Sequence, residues 1–326
     1  MRRLKALFLP HPVAEVNKPC WSDDIMAAIG EHHDLRIFDR SQPAEPQFAD
    51  IEVVVDLGGN ISAELVDVAA RAGVKFIHAQ TNGLNHVEVG KIRGAGLMLA
   101  HCPGQLSSTA LAEGAMMFIL MLAHRYGDGL RNFAARKIFF PTGMELAGRS
   151  LGIVGFGASG QQLARRAKSF DMHIMAIDIR PIEQEVLDEI PPDFLGGPGD
   201  LDRVMAESDF LSLHLHLTAN TRHIIDTRRI GLMKSTACLI NVARGALVDE
   251  EAMYEALLDK RIGGAGLDAL ADEPPDPTRP VYQLPNVCVT PHTAGSTDGT
   301  SRKRAAFAAE NLDRYARGEQ PLALVG

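Results

Sequence analysis

The chain has 326 residues, 46% of them hydrophobic, so it is long enough for two domains with separate cores and ordinary in composition for a globular protein. Its formal net charge of -8 argues against nucleic acid or an anionic membrane as partner. An anionic small molecule is not excluded, because local potential rather than net charge governs a cleft.

The start, Met1 to Pro10, carries basic residues but too short an apolar run for a signal peptide, and reads as a first strand closed by proline. Ile51 to Leu57 reads as a strand entering Gly58 and Gly59, after which Ser62 caps a helix that Gly73 stops. Val74 to His78 is a further strand, followed by a loop from Gln80 to Asn85. An apolar helix is expected from about Ser107 to Tyr126. Its densest run, Ala115 to Ala123, falls well short of the ~20 residues that span a bilayer, so we expect a buried helix, no membrane partner and a cytoplasmic location.

A second βαβ system begins near Leu151: an apolar strand, the run Gly155-Phe156-Gly157-Ala158-Ser159-Gly160, and a helical pattern from Gln161 to Phe170. The strand His173 to Ile177 then ends at Asp178, and a last helical pattern runs from Arg302 to Arg317. Strands alternating with helices imply parallel sheets covered on both faces, and the length implies two doubly wound α/β units rather than one oversized sheet. Cys20, Cys102, Cys238 and Cys288 are widely spread and read as reduced thiols. The twelve histidines form no ligand cluster; His32, His33, His214 and His216 read as surface or loop residues, and no metal site is expected.

The G-x-G-x-x-G run lies where a strand turns into a helix, where glycines permit a tight turn, approach of a pyrophosphate to backbone N–H groups, and close helix-on-strand packing. Asp178 follows roughly twenty residues on, where a carboxylate is placed to bind a ribose hydroxyl. This acid favours NAD over NADP, while Arg180 tempers the preference because an arginine can accommodate a 2′-phosphate. Arg244 ends the apolar run from Ala237, and its planar fork suits a carboxylate or an α-keto acid. His292 follows the strand-like Val287 to Thr290, and a carboxylate beside it would favour the protonated imidazole, a proton donor for a ketone gaining hydride. From spacing alone, either Asp272 or Glu273 could be that partner.

Four ordered motifs then carry a resemblance: Gly148 to Gly157, Leu239 to Gly245, Gly266-Leu267-Asp268 through Glu273-Pro274, and Thr290-Pro291-His292-Thr293-Ala294-Gly295. The chain resembles the D-isomer-specific 2-hydroxyacid dehydrogenases, the family of phosphoglycerate dehydrogenases and glyoxylate/hydroxypyruvate reductases. The resemblance implies a Rossmann NAD-binding domain (103–294) inserted into a flavodoxin-like substrate domain (1–102 and 295–326). It implies that Arg244, Glu273 and His292 are catalytic, with Glu273 supporting His292, and that Leu57, Gly58, Gly59, Arg244 and His292 meet the substrate. The cofactor would meet Gly155, Phe156, Gly157, Ala158, Ser159, Gly160, Asp178, Ile179, Arg180, His214, Thr221, Val242, Ala243, Arg244, Asp268, His292, Ala294 and Gly295, with Asp268 on the nicotinamide carboxamide. It further implies a small 2-oxo/2-hydroxy acid as substrate, with glyoxylate and hydroxypyruvate leading, and a homodimer in which Gly127 to Gly143 is an exchanged arm.

Ala269-Leu270 and His216 depart from the family's usual residues, as do the loop Ala100 to Gly104 and the missing tryptophan near Phe139 and Phe140. These departures leave substrate preference open, since pocket walls would come from loops such as Pro10 to Pro19 and Asn82 to His86. Two other readings share the fold: a non-catalytic NAD(H)-sensing scaffold of the corepressor type, and a formate- or phosphite-oxidising relative.

Overall fold

The computed structural model describes residues 1–17 and 20–326, so the last two residues of the Pro10 to Pro19 loop lie outside the described residues. The chain forms two compact units, Met1–Leu106 with Thr297–Gly326, and Ser107–Ser296. These units change over a few residues later than the expected 102 and 294. The turn Gly104–Leu106 packs against the last helix, Asp298–Ala316, and Thr297 is the N-cap of that helix, its side chain accepting from the Thr300 N–H.

The first unit holds five parallel strands: β1 Lys5–Leu9, β2 Asp34–Ile37, β3 Val53–Asp56, β4 Phe76–Ala79 and β5 Met98–His101, in the order β2-β1-β3-β4-β5. This is the flavodoxin-like doubly wound order, with its switch point between β1 and β3. Strand residues alternate between two cores, as side chains of a strand must when both faces are covered. Leu7 and Leu9 join one core, and Ala6 and Phe8 the other. The second core is closed by Ala305, Ala308, Leu312 and Ala316, three hundred residues along the chain from β1. The expected helix after Gly59 is Ala63–Ala72, with Ser62 accepting from the Leu65 N–H and Gly73 at φ 92°. His33, expected as a surface or loop residue, lies in the turn before β2 but is buried. Leu4 N–H donates to its Nδ1, and its Nε2 lies 3.1 Å from Asp313, because the turn into β2 tucks under β1.

The second unit holds seven parallel strands: β6 Ser150–Val154, β7 His173–Ile177, β8 Phe194–Gly196, β9 Phe210–Leu213, β10 Cys238–Asn241, β11 Gly264–Leu267 and β12 Val287–Val289. Their order is β12-β11-β10-β9-β6-β7-β8. Counted within the unit from β6, this is 3-2-1-4-5-6 with one further strand, the Rossmann order, with its switch point between β6 and β9. The apolar stretch expected as one helix to Tyr126 is two, Ser108–Ala123 and Tyr126–Ala134, broken where Arg125 turns to φ 51°. The first packs on β10, β11 and β12 with Ala112, Ala115, Phe118 and Ile119 in the core. Among the described residues, no helix is long and apolar enough to cross a membrane.

Close packing on β6 constrains its middle residue. A Cβ on Gly152 would lie 2.3 Å from Ser208 Oγ, 2.8 Å from Val204 and 2.9 Å from Leu211. Gly152→Ala should therefore cost about 1–3 kcal/mol through overpacking, measured as a shift in the urea midpoint; an unchanged midpoint would show that the helix over β6 yields freely.

Candidate active site

In open α/β sheets ligands gather outside the carboxyl ends of the strands. Along that edge of the second unit, Asn241, Asp268 and Thr290 stand in or just past neighbouring strands β10, β11 and β12, where Asn241 pairs with Leu267 and Leu267 with Val289. Asp268 is fully buried. Its Oδ1 accepts from the Thr290 hydroxyl at 2.6 Å and from the N–H groups of Thr293 and Ala294 at 2.7 and 2.9 Å. The loop after β12 is thus wound around one carboxylate oxygen. His292 lies inside that loop at φ 56°, a left-handed conformation rare for a non-glycine, and its N–H donates to Asp268 O and Thr290 O. The strain is met by these bonds.

The same loop brings His292 to Glu273. Its Nδ1 lies 2.9 and 2.8 Å from the two carboxylate oxygens, and Leu270 N–H donates to Glu273 Oε1 at 3.1 Å. The hydrogen bond from Glu273 raises the His292 pKa above its ordinary value, against partial burial, with the charges of Glu273 and Asp268 helping and Arg244 opposing. For Glu273, burial alone would raise the pKa. The hydrogen bond and charge of His292, the Leu270 N–H and Arg244 outweigh it, so the carboxylate sits below its usual range. Asp272, the other acid open from spacing, instead lies 3.6 Å from Arg279. The pair remains open on one side, its side chains 42% and 41% exposed.

Arg244 is placed by Asn241, which is buried at the end of β10. Asn241 Oδ1 accepts from Ala243 N–H and its Nδ2 donates to Arg244 O, an Asx turn that aims the next side chain. The backbone then presses on the Glu273 loop, for a Cβ on Gly245 would fall 1.9 Å from Leu270 O. No side chain fits there. Partial burial lowers the Arg244 pKa and the charge of Glu273 opposes this, so Arg244 and Glu273 act on one another electrostatically.

At the switch point of the sheet, the three glycines after β6 differ in what they permit. Gly155 has φ 98°, and a Cβ there would meet His214 O at 2.6 Å; one on Gly160 would meet Gly155 O at 2.3 Å. The first serves the turn and the last the close packing of helix Ala158–Lys168. Gly157 faces open space, with only Arg180 Nη2 nearby at 3.8 Å, so the room lies where a pyrophosphate would approach the helix N-terminus. Phe156 and Val242 bury their side chains in the core and offer backbone alone. Asp178 stands just past β7, accepting from Arg180 N–H with Arg180 Nε at 3.5 Å, and Ile179 is exposed beside it.

His214 lies in the loop just past β9, as its sequence context suggests, but its ring is not directed to solvent. Its ring bridges Ser212 and Ser159, at 3.0 and 2.9 Å, and burial pushes its pKa down to about 4, so it is a neutral tie between β9 and the glycine turn. Thr221 closes its own turn, its hydroxyl donating to His216 O and accepting from Thr218 N–H. His216 itself is exposed.

In the first unit, Leu57 is buried, and Gly58 and Gly59 follow with φ 85° and 74°. Asp56, buried beneath them, accepts from Ile61 N–H at 2.9 Å.

Residues 116–294 match the sequence profile of the D-isomer specific 2-hydroxyacid dehydrogenase, NAD binding domain. The chain belongs to this family. A glyoxylate reductase of Thermofilum pendens is 36% identical over 276 residues, covering 82% of this chain and 79% of the relative. A hydroxypyruvate reductase of Thermotoga maritima is 35% identical over 255 residues, covering 77% and 80%. Among solved structures, a D-lactate dehydrogenase from Aquifex aeolicus complexed with NAD and lactic acid superposes with a TM-score of 0.77 at 25% identity, covering 96% of each chain. As a family member the protein is an oxidoreductase with NAD as cofactor, interconverting 2-oxo and D-2-hydroxy acids. The glycine turn, the open space at Gly157 and the buried Asp268 Oδ2, which has no partner among the described residues, fit such a dinucleotide.

Asn241 and Thr290 were missed in the sequence, although an Asn ending an apolar strand two residues before a charged one is a legible turn signal. Asp268→Ala should lower stability by about 2–4 kcal/mol, since three donors lose one charged acceptor. Denaturant unfolding checks this; parental stability would mean the loop after β12 holds itself without Asp268.

Proposed function

We propose that this enzyme reduces a small 2-oxo acid to its D-2-hydroxy acid, with Arg244 clamping carboxylate and carbonyl, His292 donating the proton and Glu273 keeping it charged. The observation that carries the reading is the Glu273–His292 pair: two carboxylate oxygens within 2.9 Å of Nδ1 favour a proton on that nitrogen and leave Nε2 for the reactant. NADH, when bound, supplies the hydride. Negative charge then grows on the carbonyl oxygen, where the Arg244 guanidinium and the His292 imidazolium stabilise it before His292 yields its proton. In the reverse direction neutral His292 accepts the proton, and Glu273 stabilises the resulting cation.

In this reading the second unit binds the cofactor. Backbone from Gly155 to Gly160 meets the pyrophosphate and Asp178 the ribose, with Ile179 and Arg180 beside it. Val242, Ala243, Ala294 and Gly295 border the nicotinamide half, and Asp268 accepts from its carboxamide. His214 and Thr221 shape the wall between these halves. The first unit contributes Leu57, Gly58 and Gly59 through backbone at the substrate carboxylate. Glyoxylate and hydroxypyruvate are the first acids to test, because relatives about a third identical are named for them.

Loss of NADH absorbance with glyoxylate, hydroxypyruvate, pyruvate and phenylpyruvate tests the reading. Arg244→Ala should lower kcat/KM by about a hundredfold or more, the scale of roughly 3 kcal/mol for a buried charged hydrogen bond. Unchanged turnover would remove Arg244 from this role. NAD⁺-dependent oxidation of formate or phosphite, without turnover of any 2-oxo acid, would replace the substrate class.

The pH dependence follows from the raised His292 pKa. Reduction needs the imidazolium, so kcat/KM should hold at low pH and fall as pH rises through that pKa. Glu273→Gln removes the main cause of the rise and should move the fall to lower pH; an unmoved limb would assign the proton to another group.

We further propose a homodimer formed through the second unit. Helix Tyr126–Ala134 and the following residues expose Phe133 at 83%, Ile138 at 69%, Phe139 at 92% and Phe140 at 66%, a run of apolar surface costly to leave in water. Phe133→Asp with Phe139→Asp should yield monomers by light scattering; a dimer that persists would place the interface elsewhere.

A further inference from the structure

The loop at Gly58 lies at the switch point of its sheet. β1 and β3 are neighbours in the order β2-β1-β3, and the chain leaves β1 toward His11 and β3 toward Gly58. Ligands of doubly wound sheets bind where strand order reverses, outside the carboxyl ends. Two histidines flank Gly58 there. His86 Nε2 lies 2.7 Å from Gly58 O and fastens the carbonyl oxygen that would repel an anion. His11 lies over the α-carbon itself: a Cβ on Gly58 would sit 3.0 Å from its Cδ2 and 3.6 Å from its Nε2.

The tautomer of His11 is set by its own loop. Val13 N–H donates to Nδ1 at 3.1 Å, so the proton of the neutral ring must stand on Nε2. The backbone on either side is clamped by Asn17, which accepts from His11 N–H and donates to His11 O. The result is an immobilised N–H donor beside a glycine at φ 85°, with Arg40 nearby and anchored to Pro10 O. Burial lowers the His11 pKa and the charges of Arg40 and His86 add to the effect, so at neutral pH the donor is the neutral ring.

We infer that His11 is a further substrate-contacting residue, its Nε2–H donating to the carboxylate received by the Gly58–Gly59 loop. This rests on the proposed role of that loop. His11 acts on binding, not on the proton or hydride, so its loss should appear in KM while kcat stays nearly constant.

The experiment compares His11→Phe and His11→Gln with the parent enzyme in NADH oxidation by glyoxylate and hydroxypyruvate, with NADH affinity followed by fluorescence. His11→Phe should raise KM about tenfold, the equivalent of roughly 1.4 kcal/mol, with kcat within about twofold and NADH binding unchanged. Glutamine places an amide N–H near the lost Nε2–H and should restore KM to within about threefold. A merely structural role would change kcat and KM together in both variants and show no rescue, which overturns the inference. An unaltered KM in His11→Phe, with Arg244→Ala still inactive, also overturns it while leaving the proposed function standing. Absence of turnover by the parent enzyme on every 2-oxo acid would overturn both together.

Discussion

The site in the second unit depends on one carboxylate oxygen. Asp268 Oδ1 gathers a hydroxyl and two backbone N–H groups from the loop after β12, three donors on one atom. Because β10, β11 and β12 are in parallel register, those groups stand at one level of the sheet edge before any loop geometry is chosen. The carboxylate then decides the loop. His292 can stay at φ 56° only because its N–H is taken by Asp268 O and Thr290 O, and this conformation turns its ring toward Glu273. Gly245, which has no room for a side chain beside Leu270 O, couples the Arg244 loop to the same backbone. The dyad and the guanidinium are therefore carried by rigid strand ends, as accurate positioning requires.

Three acids at strand ends and Glu273 in the loop beyond β11 show how environment assigns different roles to one chemical group. Glu273 has His292 as partner and its pKa is held below the usual carboxylate range. Asp268 spends one oxygen on the protein and keeps the other, buried, without a partner among the described residues. Asp178 is fixed at the end of β7 by Arg180 N–H. At Asp56 complete burial outweighs the backbone N–H groups of Ile61 and Asn60, and its pKa is pushed up to about 7. Desolvation wins at Asp56, while at Glu273 the hydrogen bonds and charges of its neighbours outweigh it.

What could be read from the sequence was what local chemistry decides. The three glycines after β6 were legible because each answers a constraint within a few residues: a positive φ, an approach, a contact at 2.3 Å. Ser62 and Gly73 bound their helix for similarly local reasons. The choice between Asp272 and Glu273 was not legible, since it turns on Leu270 N–H and on a histidine nineteen residues away. The burial of the loop residues His33 and His214 was not legible for the same cause. Polar side chains in short loops look exposed until the neighbouring strands close over them, and here those neighbours are Leu4 with Asp313, and Ser159 with Ser212. The change of unit at Thr297 was blurred because the last helix packs by small residues, Ala305, Ala308 and Ala316, whose partners lie at the other end of the chain.

An acidic protein that takes an anion needs its cations held where the excess of acid cannot neutralise them. Most arginines here cannot serve: Arg228 and Arg229 share Asp202, Arg165 is paired with Glu189, and Arg317 with Glu319, all near the surface. Exposed pairs of this kind contribute little stability and are screened within about 8–10 Å at physiological salt. They consume positive charge locally without projecting it. Arg244 stands at the sheet edge instead, its backbone fixed by Asn241 beside the Glu273–His292 pair. Glu273 acts on both neighbours, raising the pKa of His292 and opposing the effect of burial on Arg244. The net charge of the whole chain and the local potential at the strand ends are thus set by different residues at different ranges, and at a strand end the short range governs.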